Sequence, residues 1–272
     1  MLRTLLLALA LAALPSLHAQ GTESFSRDTK IVELYQAYLA STNTDEKLLA
    51  ALTGLHGHRN SMQARQAMLD YQRLFIQSSK IRDLVYTDLK NSYHSNMTTT
   101  DVHNTIARIG NQFMQAGMTR IPLRLLIQHQ TMLGSAASKT TGPECKQALV
   151  PQGDVNALGN AEARLMRALK DDEFVRYMEI NTQALRAEIS GFPSVNLVDP
   201  RKVAEARRVL KKKAENPKYS TFWPEDMSNL SDQQACKMLV GVTKLIQEMD
   251  PDLSGQYALS SITSLKFPST SR

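Results

Sequence analysis

Two histidines lie two positions apart, at His56 and His58, which is the closest spacing of histidines in the chain. Imidazole is a common ligand of zinc, but a zinc site usually takes at least three protein ligands. No third ligand follows at a characteristic spacing, and the His-Glu-x-x-His motif is absent from the sequence. We therefore interpret residues 56–60 as a solvated loop between two helices, and we predict neither a metal site nor a cofactor.

Residues for acid–base or nucleophilic catalysis do not stand out in the sequence. Asp101 and His103 are two apart, so on a helix they would point in different directions. The chain lacks the Gly-x-Ser-x-Gly turn of many hydrolases and the glycine-rich loops that bind phosphate. His129, in an apolar segment, is interpreted as a core histidine. We predict no catalytic residue, and most of the candidate acids fit solvent-facing helix positions: Glu144, Glu162, Glu173, Glu179 and Glu188.

The first residues of the chain have the three-part layout of a secretory signal peptide. Arg3 precedes an apolar run from Leu5 to Leu14, and a Pro-Ser break and the small residue Ala19 follow. The run is about ten residues long, whereas a helix that crosses a bilayer needs roughly twenty. We predict that residues 1–19 are a signal peptide cleaved after Ala19, and that the mature protein is periplasmic or secreted, without a transmembrane anchor.

Cys145 and Cys236 are the only cysteines. Exported proteins fold in oxidising compartments, where two cysteines usually pair, although two buried thiols or one exposed thiol remain alternatives. We predict the disulfide Cys145–Cys236. The chain-entropy treatment gives a stabilisation of about 4–5 kcal/mol for a loop of roughly 90 residues.

Apolar residues recur at helical spacing along almost the whole chain. Clear examples are the stripe from Ala64 to Phe75, the stripe from Val102 to Phe113, and the stripe from Ala235 to Met249. Aromatic residues make up only 6% of the chain and it has 12 methionines, which favours a helical core over a β-sandwich. We predict an all-α fold, an irregular multi-helix bundle of about eight to ten helices.

The predicted domain organisation is a single helical domain over residues 20–259, followed by a disordered tail over residues 260–272. Residues 134–159 are rich in Gly, Ser, Thr and Pro. Long irregular connections often mark a boundary, so the domain has a candidate subdivision near residues 134–154.

A basic helix and an aromatic segment form the sharpest surface feature. The helix has basic residues on one side and a stripe of Val and Ala on the other. Tyr and Trp follow the helix, and residues of these types often anchor interfaces. A solvated helix face and a buried Trp223 are the alternatives. The candidate binding residues are Arg201, Lys202, Arg208, Lys212, Tyr219 and Trp223.

These observations favour an exported protein that acts by binding, such as an inhibitor, an immunity-type protein or an accessory component of a secretion apparatus. The net charge of +6 allows an acidic protein of the cell envelope as partner, and export excludes nucleic acid. The sequence leaves the oligomeric state open. The alternative function is an all-helical hydrolase or lyase that acts on the envelope, which a deep pocket with convergent acids or histidines would favour.

Overall fold

The structure, a computed structural model, describes residues 14–149, 155–194, 196–216 and 229–263. Within these ranges it contains twelve α-helices and no β-strand, which confirms the all-α prediction and exceeds the predicted number of helices. A 3-10 helix, Met166–Ala168, precedes the α-helix that begins at Asp171. The α-helices are α1 (Leu14–Ser41), α2 (Asp45–His56), α3 (Met62–Gln77), α4 (Ser79–Asn91), α5 (Thr99–Met118), α6 (Leu123–Ala137), α7 (Glu144–Leu149), α8 (Val155–Leu165), α9 (Asp171–Ile189), α10 (Pro200–Ala214), α11 (Asp232–Gln247) and α12 (Pro251–Thr263).

Local hydrogen bonds explain where several of these helices begin. Thr44 caps α2 by accepting a hydrogen bond from the backbone of Lys47. At α5 the Asp101 carboxylate accepts from the backbone N–H of Thr98 at 2.8 Å. At α11 the Ser231 hydroxyl and the Gln234 side chain each accept a hydrogen bond from the other residue's backbone. These caps satisfy N–H groups that the first helical turn leaves unpaired.

Helices α6, α9 and α11 carry much of the largest apolar cluster, and α9 also packs against α3 and α5. The α5–α9 crossing is close because Gly117 lies against the backbone of Ala184. A Cβ atom at position 117 would overlap the Ala184 carbonyl oxygen. Two smaller clusters complete the core, one around α1, α4 and α5 and the other around α5, α6, α9 and α12.

The predicted disulfide is present: Cys145 on α7 is bonded to Cys236 on α11, and both residues are buried. It joins the segment near the candidate subdivision to the last long amphipathic helix. Residues 134–154 are less irregular than predicted, because α6 continues to Ala137 and α7 follows within the same region. Residues 150–154 lie outside the described ranges.

The two ends of the chain are described only in part. The predicted leader lies outside the described residues up to residue 13, and the predicted cleavage point after Ala19 falls within α1. At the other end α12 extends to Thr263, and Ser260 is buried, so the first residues of the predicted tail are helical and packed. Residues 264–272 lie outside the described part. None of the helices in the described ranges is long and apolar enough to cross a membrane.

Candidate functional site

A deep cavity of about 670 Å³ lies between six helices, α1, α2, α3, α5, α8 and α9. Pockets that bind small molecules usually have volumes of roughly 300–1,000 Å³ and are lined mainly by apolar side chains with a few polar groups. The volume of this cavity is in that range, and its lining is mixed, with ten apolar side chains, three tyrosines, two glycines and eleven other polar side chains. Its apolar lining is formed by Ala37, Leu48, Ala51, Leu52, Phe75, Ile106, Ala107, Met114, Ala163 and Met178.

Helix α5 forms one wall of the cavity because several of its residues that line the cavity recur every three or four positions. Thr99, His103, Ile106 and Gly110 are three or four residues apart, so they share one face of the helix. The absent side chain of Gly110 leaves room for the Phe75 ring, which a Cβ atom at position 110 would overlap. The same helix can therefore line the cavity and pack closely against α3.

The mouth of the cavity is formed by exposed residues of α1, α2, α5 and α8. Ala37, Ala51 and Ala107 are all exposed, so their methyl groups border open space and not packed core. His103 lies at the mouth with its ring centre 6.1 Å from that of Tyr38. Small side chains at the rim leave the interior accessible from solvent.

Glu162 on α8 is the notable polar residue inside the cavity. The residue is only 8% exposed, and the sequence did not distinguish it from the other candidate acids. The Tyr177 hydroxyl donates a hydrogen bond to its Oε1 at 3.2 Å. His129 Nε2 lies 2.9 Å from the same oxygen, without an in-line hydrogen bond, and the His129 ring packs 5.4 Å from the Tyr177 ring. A carboxylate, a phenol and an imidazole thus meet here, and the first two line the cavity.

The tyrosines of the cavity remain neutral hydrogen-bonding groups. Burial, reinforced by the negative charge of Glu162, raises the pKa of Tyr71 and of Tyr177. Burial and the neighbouring Tyr35 also raise the pKa of Tyr38 to about 12, against the opposing hydrogen bond from Gln72. Near neutral pH the phenols can donate or accept hydrogen bonds but carry no charge.

Two further polar groups that line the cavity have an atom without a hydrogen-bond partner in the described ranges, His56 Nδ1 and Asn181 Oδ1. Both residues are buried. Burial, together with the charges of Arg59 and Arg167, lowers the pKa of His56 to about 4, so its ring is neutral at pH 7. Buried polar atoms are normally hydrogen-bonded, so these atoms are available to a ligand or to water.

Residues 57–61 connect α2 to α3 and include the exposed His58 and Asn60, as predicted, but the loop is not wholly solvated, because His56 and Arg59 are both buried. The Arg59 guanidinium donates hydrogen bonds at 2.8 Å to the backbone carbonyls of Met166 and Leu169 and lies 3.8 Å from the Phe174 ring centre. This loop therefore holds the 3-10 segment between α8 and α9 in place. Within the described residues, no three His, Cys, Asp or Glu side chains group as metal ligands would.

The predicted basic surface is partly described. Arg201, Arg208 and Lys212 are exposed on α10, whereas the Lys202 ammonium pairs with Asp252 at 2.5 Å. Tyr219, Trp223 and the rest of residues 217–228 lie outside the described residues. The helix lies apart from the cavity, since none of its described residues belongs to the lining.

Sequence reasoning missed the cavity because its residues come from six helices far apart in the chain. One signal was present. Glu162 is three residues before Leu165 and four after Leu158, so it is in phase with an apolar stripe and should be buried. His129 was correctly interpreted as buried, but its Nδ1 has no hydrogen-bond partner in the described ranges.

Comparison with known proteins gives no relative. No protein-family model matches the chain, and no curated protein or solved structure is significantly similar to it. The geometry of the cavity is therefore the basis for assigning a function.

Proposed function

We propose that this protein acts by binding, and that its binding site is the central cavity, which takes a small and largely apolar ligand. The observation that carries the proposal is the cavity itself, a space of about 670 Å³ between six helices whose lining includes ten apolar side chains. A concave space of this volume is the usual location of a small-molecule site.

The polar groups of the cavity support a ligand with one polar end. Glu162, Tyr177 and Asn181 lie together in the lining, and ten apolar side chains also line the cavity. A few converging polar groups in an apolar pocket fix the orientation of a ligand and provide specificity. The apolar part of the ligand gains free energy from leaving water.

The proposal includes action outside the cytoplasm. Two features support it: the signal-like pattern of residues 1–19 and the buried disulfide between Cys145 and Cys236. Disulfides persist in oxidising compartments and are rare in the cytosol.

Titration with a neutral apolar fluorophore, N-phenylnaphthylamine, tests the binding proposal. We expect its emission to rise on binding to the purified protein. The variant Ala107→Trp places a large ring at the mouth of the cavity and should weaken binding roughly tenfold or more, because the ring occupies space that the probe needs. Ala107 is exposed, so the substitution does not overpack the core.

Ala204→Trp is the matched control, since Ala204 is equally an exposed alanine on a helix but lies on α10, away from the cavity. The control should bind the probe like the wild type. No saturable binding to the wild type, or equal binding by both tryptophan variants, would show that the cavity is not the binding site.

A second candidate function, a hydrolase or lyase, is favoured by the contact between Glu162 and Tyr177 inside the cavity. A buried acid beside a hydrogen-bonding phenol could transfer protons to and from a bound substrate. Mass spectrometry of ligands recovered after incubation separates the two functions. Recovery at unchanged mass supports binding alone, whereas a loss of mass, or a gain equal to one water, supports catalysis.

A protein partner for the basic surface on α10 stays a prediction from the sequence. Arg201, Arg208 and Lys212 remain exposed and could meet an acidic protein of the cell envelope. Mutating them to glutamate should leave binding of the apolar probe unchanged, which distinguishes this surface from the cavity.

A further inference from the structure

We infer that the ligand of the cavity is a cationic amphiphile, an alkyl or aryl amine whose ammonium group pairs with the Glu162 carboxylate while its apolar part fills the rest of the space. This deepens the proposed function and depends on it, because it names the chemical class that the same cavity takes.

The charge of the cavity lining is the first observation. Glu162 is the one acidic residue in the described lining, and neither Lys nor Arg contributes to it. His56 is neutral at pH 7, since burial lowers its pKa to about 4. The described lining therefore carries a net negative charge that no cation of the lining balances.

The hydrogen bonding of Glu162 is the second observation. Tyr177 and His129 both approach Oε1. Its other oxygen, Oε2, has neither a hydrogen bond nor an ion pair within the described ranges. A carboxylate can accept about four hydrogen bonds, so Glu162 retains accepting capacity for a ligand. A carboxylate with so little exposed surface is costly unless a cation or donors compensate its charge.

His129 lies outside the cavity lining, and its Nε2 atom is 2.9 Å from Glu162 Oε1. The two close polar neighbours of the carboxylate, Tyr177 and His129, are therefore both at Oε1 and leave Oε2 to a ligand.

Aromatic rings near Glu162 are the third observation. Tyr71 and Tyr177 line the cavity with Glu162, and its charge acts on both phenols. The faces of aromatic rings attract cations, and this attraction is stronger away from water. A carboxylate with neighbouring phenol rings is a favourable environment for an ammonium group, and an unfavourable one for the carboxylate of a fatty acid.

Competition among three ligands of equal chain length tests the inference. Octylamine, octanol and octanoate are each used at pH 7 to displace N-phenylnaphthylamine from the wild-type protein. Octylamine is protonated at this pH, because an alkyl ammonium has a pKa of about 10. We expect octylamine to bind roughly tenfold or more tighter than octanol, and octanoate to bind weakest.

Glu162→Gln removes the charge and keeps the shape of the side chain. This variant should lose the preference for octylamine over octanol. Glu205→Gln is the matched control, because it makes the same change of net charge at an exposed position of α10. It should retain the wild-type order of the three ligands.

The inference is wrong if the wild type binds octanoate or octanol at least as tightly as octylamine, or if Glu162→Gln retains the preference. If Glu162→Gln does not fold, the order of the three ligands on the wild type decides alone. Failure of the cation inference leaves probe binding and its block by Ala107→Trp intact, whereas failure of the proposed function removes both.

Discussion

The Tyr177 hydroxyl donates a 3.2 Å hydrogen bond to Glu162 Oε1, and the two residues are 4% and 8% exposed. Tyr177 comes from α9 and Glu162 from α8, and the loop that contains Arg59 holds the connection between these helices. The position of the cavity carboxylate thus depends on the packing of three separate segments.

Tyr177→Phe should lower the free energy of unfolding by about 1–2 kcal/mol, because it removes a buried hydrogen bond to a carboxylate. Denaturant unfolding measures this loss. Tyr93→Phe is the control, since it deletes the same hydroxyl from a residue that is partly buried and does not line the cavity. If both variants lose the same stability, the hydrogen bond to Glu162 contributes nothing specific.

His56 should make the protein less stable in mild acid. Burial lowers its pKa from 6.5 to about 4, so between these values the unfolded chain binds a proton that the folded protein does not. The contribution of His56 to the free energy of unfolding is therefore fully present well above pH 6.5 and is lost as the pH falls. The free energy of unfolding should be lower by about 2–3 kcal/mol at about pH 4.5.

His56→Gln cannot titrate and should remove this part of the pH dependence. The measurement is urea unfolding of both proteins near pH 7 and near pH 4.5. A variant that is less stable at both pH values but shows a smaller decrease between them agrees with the prediction. An unchanged decrease would mean that His56 is not the group responsible.

Gly117→Ala should destabilise the protein by about 2 kcal/mol or more, although alanine favours helices over glycine. The new methyl group would overlap the Ala184 carbonyl oxygen and push α5 away from α9. Gly54→Ala provides the comparison, because nothing lies within 4 Å of its added Cβ atom. That variant should gain about 0.5–1 kcal/mol of stability. Thermal unfolding of the two variants measures their change in stability. Equal changes for both substitutions would contradict the close contact between α5 and α9.

Replacing Cys145 and Cys236 together by alanine should lower the free energy of unfolding by about 4–5 kcal/mol, as expected for a loop of this length. Guanidinium unfolding without reductant measures the loss. Before mutation, the purified wild type should show no alkylatable thiol and should migrate differently on reducing and non-reducing gels. Two reactive thiols in protein recovered from an oxidising compartment would contradict the disulfide.

The helices and their caps could be predicted from the sequence because both depend on local spacing. Thr98 with Asp101, and Ser231 with Gln234, are capping pairs that need only three residues of separation. The disulfide could also be predicted, since a chain with two cysteines allows one intramolecular pairing.

The cavity could not be predicted in this way because it depends on tertiary packing. Tyr71 and Tyr177 are more than 100 positions apart in the chain, and both approach Glu162. The burial of Arg59 has the same origin, because its hydrogen-bond partners, Met166 and Leu169, are 107 and 110 positions away. The spacing and type of the apolar residues identify which face of a helix is buried. They do not show which helix faces enclose a cavity.

A crystal structure of the protein with bound octylamine tests the central claim most directly. We predict the alkyl chain inside the cavity between α5 and α9, with the ammonium nitrogen within hydrogen-bond distance of Glu162 Oε2. Octylamine bound only on the outer surface, or oriented with its ammonium toward the mouth and away from Glu162, would contradict the account.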